Sequence, residues 1–235
     1  MLFLPTMHPI IEQARNEGRV VLTEVESKEL LGQAGINVVT TRLAASRSEA
    51  VAISQQIGFP VALKITSPDI VHKSGAGGVK LGLEMPEQVE QAYNDILRDI
   101  RQKYPRARVY GVSVQKMAHP GVEVIIGAKR DKQFGPVLMF GLGGIWVEVL
   151  QDVSLRVTPV TRRDAGEMIK EIKGYRMLTG YRNQPPADIS KLEDMLLAVS
   201  EFTVQYPMVS ELDLNPVIAN GDGAVAVDAR VVLEI

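Results

Sequence analysis

The sequence predicts an α+β fold arranged as two lobes, on three observations. Helix and strand signals alternate from the first capped segment onward, no internal repeat or heptad pattern competes with them, and no long linker divides the chain into independent domains. At 235 residues the chain suits two small lobes that each bury a core.

Taken in order, residues 1–20 read as an N-terminal extension or helix, 21–114 as a first subdomain and 115–235 as a second. Thr23 followed by Glu26 forms a capping box, Leu30, Leu31 and Ala34 give the helix an apolar face, and Gly35 stops it before a strand over Ile36–Thr40. Ser46 and Glu49 repeat the capping box, with Val51, Ile53 and Ile57 facing inward and Gly58 as the stop. An apolar strand over Phe59–Ile65 follows and carries one cation, Lys64. A loop over Thr66–Gly78 leads to a strand over Val79–Leu83, a helix opened by Pro86 and a strand over Val109–Met117. The second subdomain reads as strands over Val122–Ala128 and Val137–Phe140, a turn at Gly141, Gly143 and Gly144, and strands over Ile145–Leu150 and Ser154–Val160. Helices over Arg163–Ile172 and from Ala187 to about Val204 flank a polar connection at Asn183–Pro186. A hairpin of Val209–Ala219 and Ala224–Val232 closes the chain around Asn220, Gly221, Asp222 and Gly223.

Composition bounds the chemistry. No apolar run approaches the ~20 residues of a membrane span, and the apolar start, broken by Pro5 and Pro9 without a basic region, does not read as a signal peptide. The expectation is a cytoplasmic protein with no membrane association. With 0 cysteines, disulfides and thiolate chemistry are excluded and hard oxygen ligands are left for any metal. A formal charge of -2 gives no reason to expect nucleic acid.

Four groups of residues can bear chemistry. On the terminal hairpin, Glu211, Asp213 and Asn215 alternate with Leu212 and Leu214 and share one face; a hairpin symmetric about its turn sets Asn215 opposite Asp228. Asp213, Asn215 and Asp228 suit magnesium; the competing reading is a solvated face with Arg230 neutralising Asp213. The loop after Lys64 holds His72, Lys73 and glycines at 75, 77 and 78, which fits a phosphate grip with a nucleophilic imidazole, although it matches neither the Walker pattern nor the dinucleotide fingerprint. A surface or structural role is the alternative for His72 and the only reading for His8 and His119. Gln115, Lys116 and Met117 precede Glu123 at the crossing between subdomains, where backbone groups suit an adenine edge and a carboxylate suits a ribose. Glu148 and Arg156 are placed to reach phosphate or metal, with solvation the plainer reading of Arg156; Trp146 reads as a packing residue.

In order, these pieces resemble the ATP-grasp domain in the β subunit of ADP-forming (NDP-forming) acyl-CoA synthetases, from about Pro9 to Glu234. The stretches that carry the resemblance are Phe59–Ile65, Ser67–Ser74 with Gly77–Val79, Gly121–Gly127, Phe140–Glu148 and Glu211–Pro216. The resemblance implies an ATP-grasp fold of two α/β lobes with the nucleotide bound between them. It implies that Lys64, with Lys73 and Ser74, meets nucleotide phosphate, that Gln115–Met117 faces adenine, that Glu123 meets ribose, and that Asp213, Asn215 and Asp228 serve Mg2+. It also implies that His72 relays a phosphoryl group, with ADP or ATP as substrate, from a histidine of a partner α subunit that makes the acyl phosphate. The expected assembly is an α2β2 heterotetramer. A stand-alone ATP-grasp ligase and a non-catalytic nucleotide-sensing subunit are the rival readings; the short chain speaks against the first and the intact histidine loop against the second.

Overall fold

The computed structural model describes residues 8–70, 72–144, 152–182 and 185–234. The apolar start, Val71, the strand expected over 145–150 with Trp146 and Glu148, and part of the expected Asn183–Pro186 connection lie outside them. The described chain divides into two compact units. The smaller comprises Thr23–Lys28 and Val39–His119; the larger comprises the segment ending at Leu22, Glu29–Val38 and the segment from Pro120 onward. Among the described residues no helix is long and apolar enough to cross a membrane.

The smaller unit is built on β1 (Thr41–Ala44), β2 (Val61–Thr66), β3 (Val79–Leu83) and β4 (Gly111–Lys116), an antiparallel sheet in the order β1-β4-β2-β3. Helices α3 (Arg47–Ile57) and α4 (Pro86–Lys103) pack on it. Ser46 caps α3 through its hydroxyl, which accepts the Glu49 N–H at 3.2 Å, while the Glu49 carboxylate reaches back to the Ala45 amide at 2.8 Å. In α4, Val89, Ala92, Tyr93, Ile96 and Ile100 recur every three or four residues and are buried, which gives the helix one core face. Strand β2 is buried on both faces. Val61, Leu63 and Ile65 join the helices in the core, and alternation turns Ala62, Lys64 and Thr66 to the opposite side.

Helix α2 (Glu24–Gln33) starts with the expected capping box: the Thr23 amide donates to the Glu26 carboxylate at 2.7 Å and the Glu26 amide to the Thr23 hydroxyl at 3.3 Å. Its first turn counts with the smaller unit, and Leu30 and Leu31 belong to the core of the larger. The strand expected over Ile36–Thr40 does not form there. Val38 makes one isolated bridge to Ala226, Asn37 donates to the Ala224 carbonyl at 2.7 Å, and regular pairing starts only at Thr41. The apolar run is spent on core packing by Ile36 and Val39, not on a ladder.

The larger unit holds α1 (Pro9–Asn16), whose start is capped by the His8 ring, and a six-stranded sheet. Its strands are β5 (Val122–Asp131), β6 (Gly135–Leu142), β7 (Val153–Val157), β8 (Val209–Asn220), β9 (Gly223–Ala226) and β10 (Ala229–Leu233). The order is β10-β8-β5-β6-β7, with β9 on β8. Helices α5 (Arg162–Glu171) and α7 (Ile189–Gln205) pack against it, with a short α6 (Tyr175–Leu178) the sequence reading missed. Val124, Ile126, Leu212 and Leu214 enter the core with Phe140 and Phe202, which leaves Gly127, Asp213 and Arg230 on the other face. The expected Ser154–Val160 strand ends at Val157, before Pro159, which has no N–H to donate to a ladder.

Candidate functional site

His72 is exposed and opens a closed turn. The Ala76 amide donates to the His72 carbonyl at 3.2 Å, Gly77 to the Ser74 carbonyl at 3.1 Å and Gly78 to the Lys73 carbonyl at 2.8 Å. The last two bonds are the nested pair of a Schellman motif, with Gly77 at φ +80° in the position that requires a left-handed residue. Gly78 is needed for a different reason, since a Cβ there would lie 2.4 Å from Ile65 Cγ2. These two glycines therefore shape a folded turn and do not slacken a loop. Ser74 lies exposed within it.

Lys64 and Lys73 converge on Glu24, a residue that sequence reasoning did not single out. Lys64 Nζ donates to Glu24 Oε1 at 2.7 Å, Lys73 Nζ donates to Oε2, and Lys28 Nζ donates to Oε1 at 2.7 Å. The Glu24 and Lys28 side chains are each 3% exposed and that of Lys64 is 7% exposed. Isolated charges this deep cost several kcal/mol each, so the four groups are mutually required. Burial pushes the Glu24 carboxyl up, and the ammonium groups of Lys28, Lys64 and Lys73 outweigh it, so the carboxyl sits well below its usual range. The one available signal was the i,i+4 spacing of Glu24 and Lys28, which ordinarily marks a solvated helix face.

Lys28 Nζ also donates to Gln115 Oε1 at 2.7 Å, so the Gln115 side chain turns into this cluster. Lys116 Nζ donates to the Gly58 and Phe59 carbonyls at 2.9 and 3.0 Å, completing the end of α3. The amides of Lys116 and Met117 are taken by the Thr40 and Pro60 carbonyls.

On the larger unit, the hairpin has the symmetric register read from its turn. Val217 pairs with Ala226 and Asp213 with Arg230, and the Asn215 amide donates to the Asp228 carbonyl at 3.3 Å. Between β9 and β10 the return strand breaks at Val227 and Asp228, next to Pro216, so Asn215 and Asp228 sit side by side at an interruption in the sheet. Burial raises the Asp213 carboxyl above its usual range; Arg230 opposes this, and Asp228 and Glu211 add to it. Glu211 itself is drawn to Lys129 Nζ at 2.8 Å. A concavity of about 490 Å³ beside Asp213 is lined by Gly127, Met139, Leu155 and Arg230. Among the described residues no group of three or more acidic or histidine side chains is placed to hold a metal. Two carboxylates and an amide fit a hard cation that keeps several waters and phosphate oxygens, which is magnesium's habit.

Glu123 is exposed, and its carbonyl accepts the Gly143 amide at 2.7 Å. Gly144, at φ +65°, lies against the Glu123 carboxylate. Arg156 is half-buried on the face of β7 that carries Ser154, where it pairs with Glu171 of α5 through both guanidinium amines. Glu148 lies outside the described residues. His119 is exposed.

The family of the ATP-grasp domain matches residues 13–233. The β subunit of the ADP-forming acetate–CoA ligase I of Pyrococcus furiosus is 47% identical over 224 residues, covering 95% of this chain and 96% of that one. A solved structure of the dinucleotide-forming acetyl-coenzyme A synthetase 1 of Ca. Korarchaeum cryptofilum, with coenzyme A and Ca-AMPCP, superposes at a TM-score of 0.94 and 48% identity, over 96% of this chain and 98% of that one. A second structure of that enzyme, with coenzyme A and Mg-AMPPCP and its phosphohistidine segment pointing towards the nucleotide site, has a TM-score of 0.86 at 46% identity and the same coverage.

Proposed function

The chain belongs to the ATP-grasp family, among the β subunits of ADP-forming acyl-CoA synthetases, and from that premise we propose that it is the nucleotide-binding subunit of an acid–thiol ligase in which His72 relays a phosphoryl group to ADP. The observation that carries the reading is the placement of an exposed imidazole on a folded turn whose next residue, Lys73, shares a carboxylate with Lys64.

Neutral imidazole has a lone pair able to take a phosphoryl group, and an ADP β-phosphate oxygen then displaces the imidazole nitrogen, forming the P–O bond of ATP as the P–N bond breaks. Lys64 and Lys73, with Ser74, meet the transferring phosphates and offset charge on their oxygens. Gln115, Lys116 and Met117 serve the base and Glu123 the ribose; the base is read by groups other than the engaged amides of Lys116 and Met117, or by exchange of those bonds. Arg156 and Glu148 join the phosphate or metal end. Asp213, Asn215 and Asp228 would hold Mg2+, which when bound neutralises phosphate charge.

A partner α subunit supplies the acyl phosphate and the first histidine phosphorylation, in an α2β2 heterotetramer in the cytoplasm. The overall reaction runs reversibly between acyl-CoA, ADP and phosphate on one side and free acid, CoA and ATP on the other.

The test is intact-protein and peptide mass spectrometry at neutral to alkaline pH after incubation with Mg-ATP. One acid-labile phosphoryl group on His72, removed by ADP and absent in His72→Ala, is the expected result. No label on His72, even with the α subunit present, overturns the relay and leaves a nucleotide-sensing subunit.

A further inference from the structure

The His72 turn is closed on itself, so its aim depends on what ties it to the rest of the smaller unit. Its far end is fixed by the bond from the Ile65 amide to the Gly78 carbonyl at 2.7 Å and by burial of Ala76 in the core; among the described residues three side-chain ties add to these. Asp69, at the entry, receives the Arg108 amide at 2.7 Å and guanidinium at 2.9 Å. Lys103 Nζ donates to the Ala76 carbonyl at 3.1 Å. Lys73 Nζ donates to Glu24. The Asp69 pair is exposed and screened, and pairs of that kind fix little. The Lys103 contact is a single bond from a flexible side chain. The Lys73 tie differs in its acceptor, a buried carboxylate on a helix that is held from the other side by Lys28 and Lys64. Lys73 is also the residue whose carbonyl closes the Schellman motif, so holding its ammonium holds the turn.

We propose that Glu24 is the positioning residue of the His72 segment, the shared carboxylate that anchors Lys73 to Lys64 and so sets where the imidazole points; for the role of His72 this rests on the phosphoryl relay. Glu24 touches no substrate and acts through the two lysines. A phosphate arriving at Lys64 and Lys73 competes with Glu24 for the same ammonium groups, so anion occupancy loosens the tie and frees the turn to move as a body. Occupancy of the phosphate site and the aim of the histidine are thereby coupled through one side chain.

The chain has 0 cysteines, so one introduced thiol can be labelled without interference. Gly75 is the place for it: it is exposed, and a Cβ there would meet nothing nearer than the His72 carbonyl at 3.9 Å. A nitroxide on Gly75→Cys in the full chain, without nucleotide, reports the mobility of the turn by electron paramagnetic resonance. We expect an immobile label in the parent, a mostly mobile one in Glu24→Gln and in Lys73→Met, no further gain in the double variant, and an immobile one again in Lys73→Arg. Non-additivity marks an effect that passes through the ion pair, which general loosening would not show. An immobile label in Glu24→Gln overturns the proposal, as does full additivity. If Glu24→Gln loses its circular dichroism spectrum, Lys73→Met decides alone: its side chain is 18% exposed and outside the apolar core, and an unchanged label there overturns the proposal. The rate of His72 phosphorylation by Mg-ATP should fall on the order of 10- to 100-fold in Glu24→Gln, the penalty of a reacting group misplaced by about an ångström. The label reads the tie without any phosphoryl transfer, so an unphosphorylated His72 in the parent sinks the relay only, and unchanged mobility sinks the role of Glu24 only.

Discussion

Asp213 faces Arg230 directly across the β8–β10 ladder, with Asp228 beside Asn215 two positions along the same hairpin. Burial, the largest influence, favours the neutral form of Asp213; Arg230 opposes it, Asp228 and Glu211 add to it, and the balance lies upward from 3.8. A metal needs the carboxylate ionised, so protons compete with magnesium at a higher pH than for an ordinary aspartate. The magnesium concentration for half-maximal His72 phosphorylation should therefore climb as pH is lowered, by about tenfold per pH unit once below the Asp213 pKa. Asp213→Asn should raise the magnesium concentration needed and flatten its pH dependence, and Arg230→Met should move the dependence to higher pH. Titration of phosphorylation against magnesium at several pH values checks all three, and an unaltered response in Asp213→Asn removes it as a ligand.

Glycines 75, 77 and 78 look alike in the sequence and should behave differently. Gly78→Ala drives a Cβ to 2.4 Å from Ile65 Cγ2 and 3.1 Å from the Lys73 carbonyl, so a loss of about 1–3 kcal/mol is expected from overpacking. Gly77→Ala forces an L-residue to φ +80°, at about 1–2 kcal/mol. Gly75→Ala meets nothing closer than 3.9 Å and should stay within about 0.5 kcal/mol of the parent. Urea unfolding orders the three, and equal effects would contradict the folded turn.

Where one face of an element is apolar and the ends carry caps, the sequence was legible. Helix α4 starts at Pro86 and β3 spans Val79–Leu83 as expected, and the hairpin register follows from its four-residue turn. The capping box at Thr23 and Glu26 is present in full. The failures have physical causes. Ile36–Thr40 has strand composition, but its pairing partners are set by tertiary contacts that composition does not encode. The glycines after His72 give no sign in the sequence of which two of them close a Schellman turn. Glu24 was illegible because the first turn of an amphipathic helix is normally solvated, and only the fold brings Lys64 and Lys73 to it from 40 and 49 residues away.

The cluster around Glu24 should also show in acid stability, with a sign that its electrostatics fix. Its carboxyl is held far below its ordinary 4.5 by Lys28, Lys64 and Lys73 acting against burial. A depressed carboxyl stabilises the fold fully above the unfolded pKa and loses that contribution as pH falls towards the folded one. At neutral pH Glu24→Ala leaves three ammonium groups without their shared counter-charge, and removing one partner of a buried ionic group costs about 3–5 kcal/mol. Below pH 4.5 the parent begins to lose the same contribution, so the gap between parent and variant should narrow steadily. Lys28→Met keeps Glu24 paired with Lys64 and Lys73 and should cost less than Glu24→Ala at every pH. Denaturant unfolding of the parent and both variants from neutral to acid pH checks this. A gap that stays constant with pH would place the loss in packing, because only a charge contribution can titrate away.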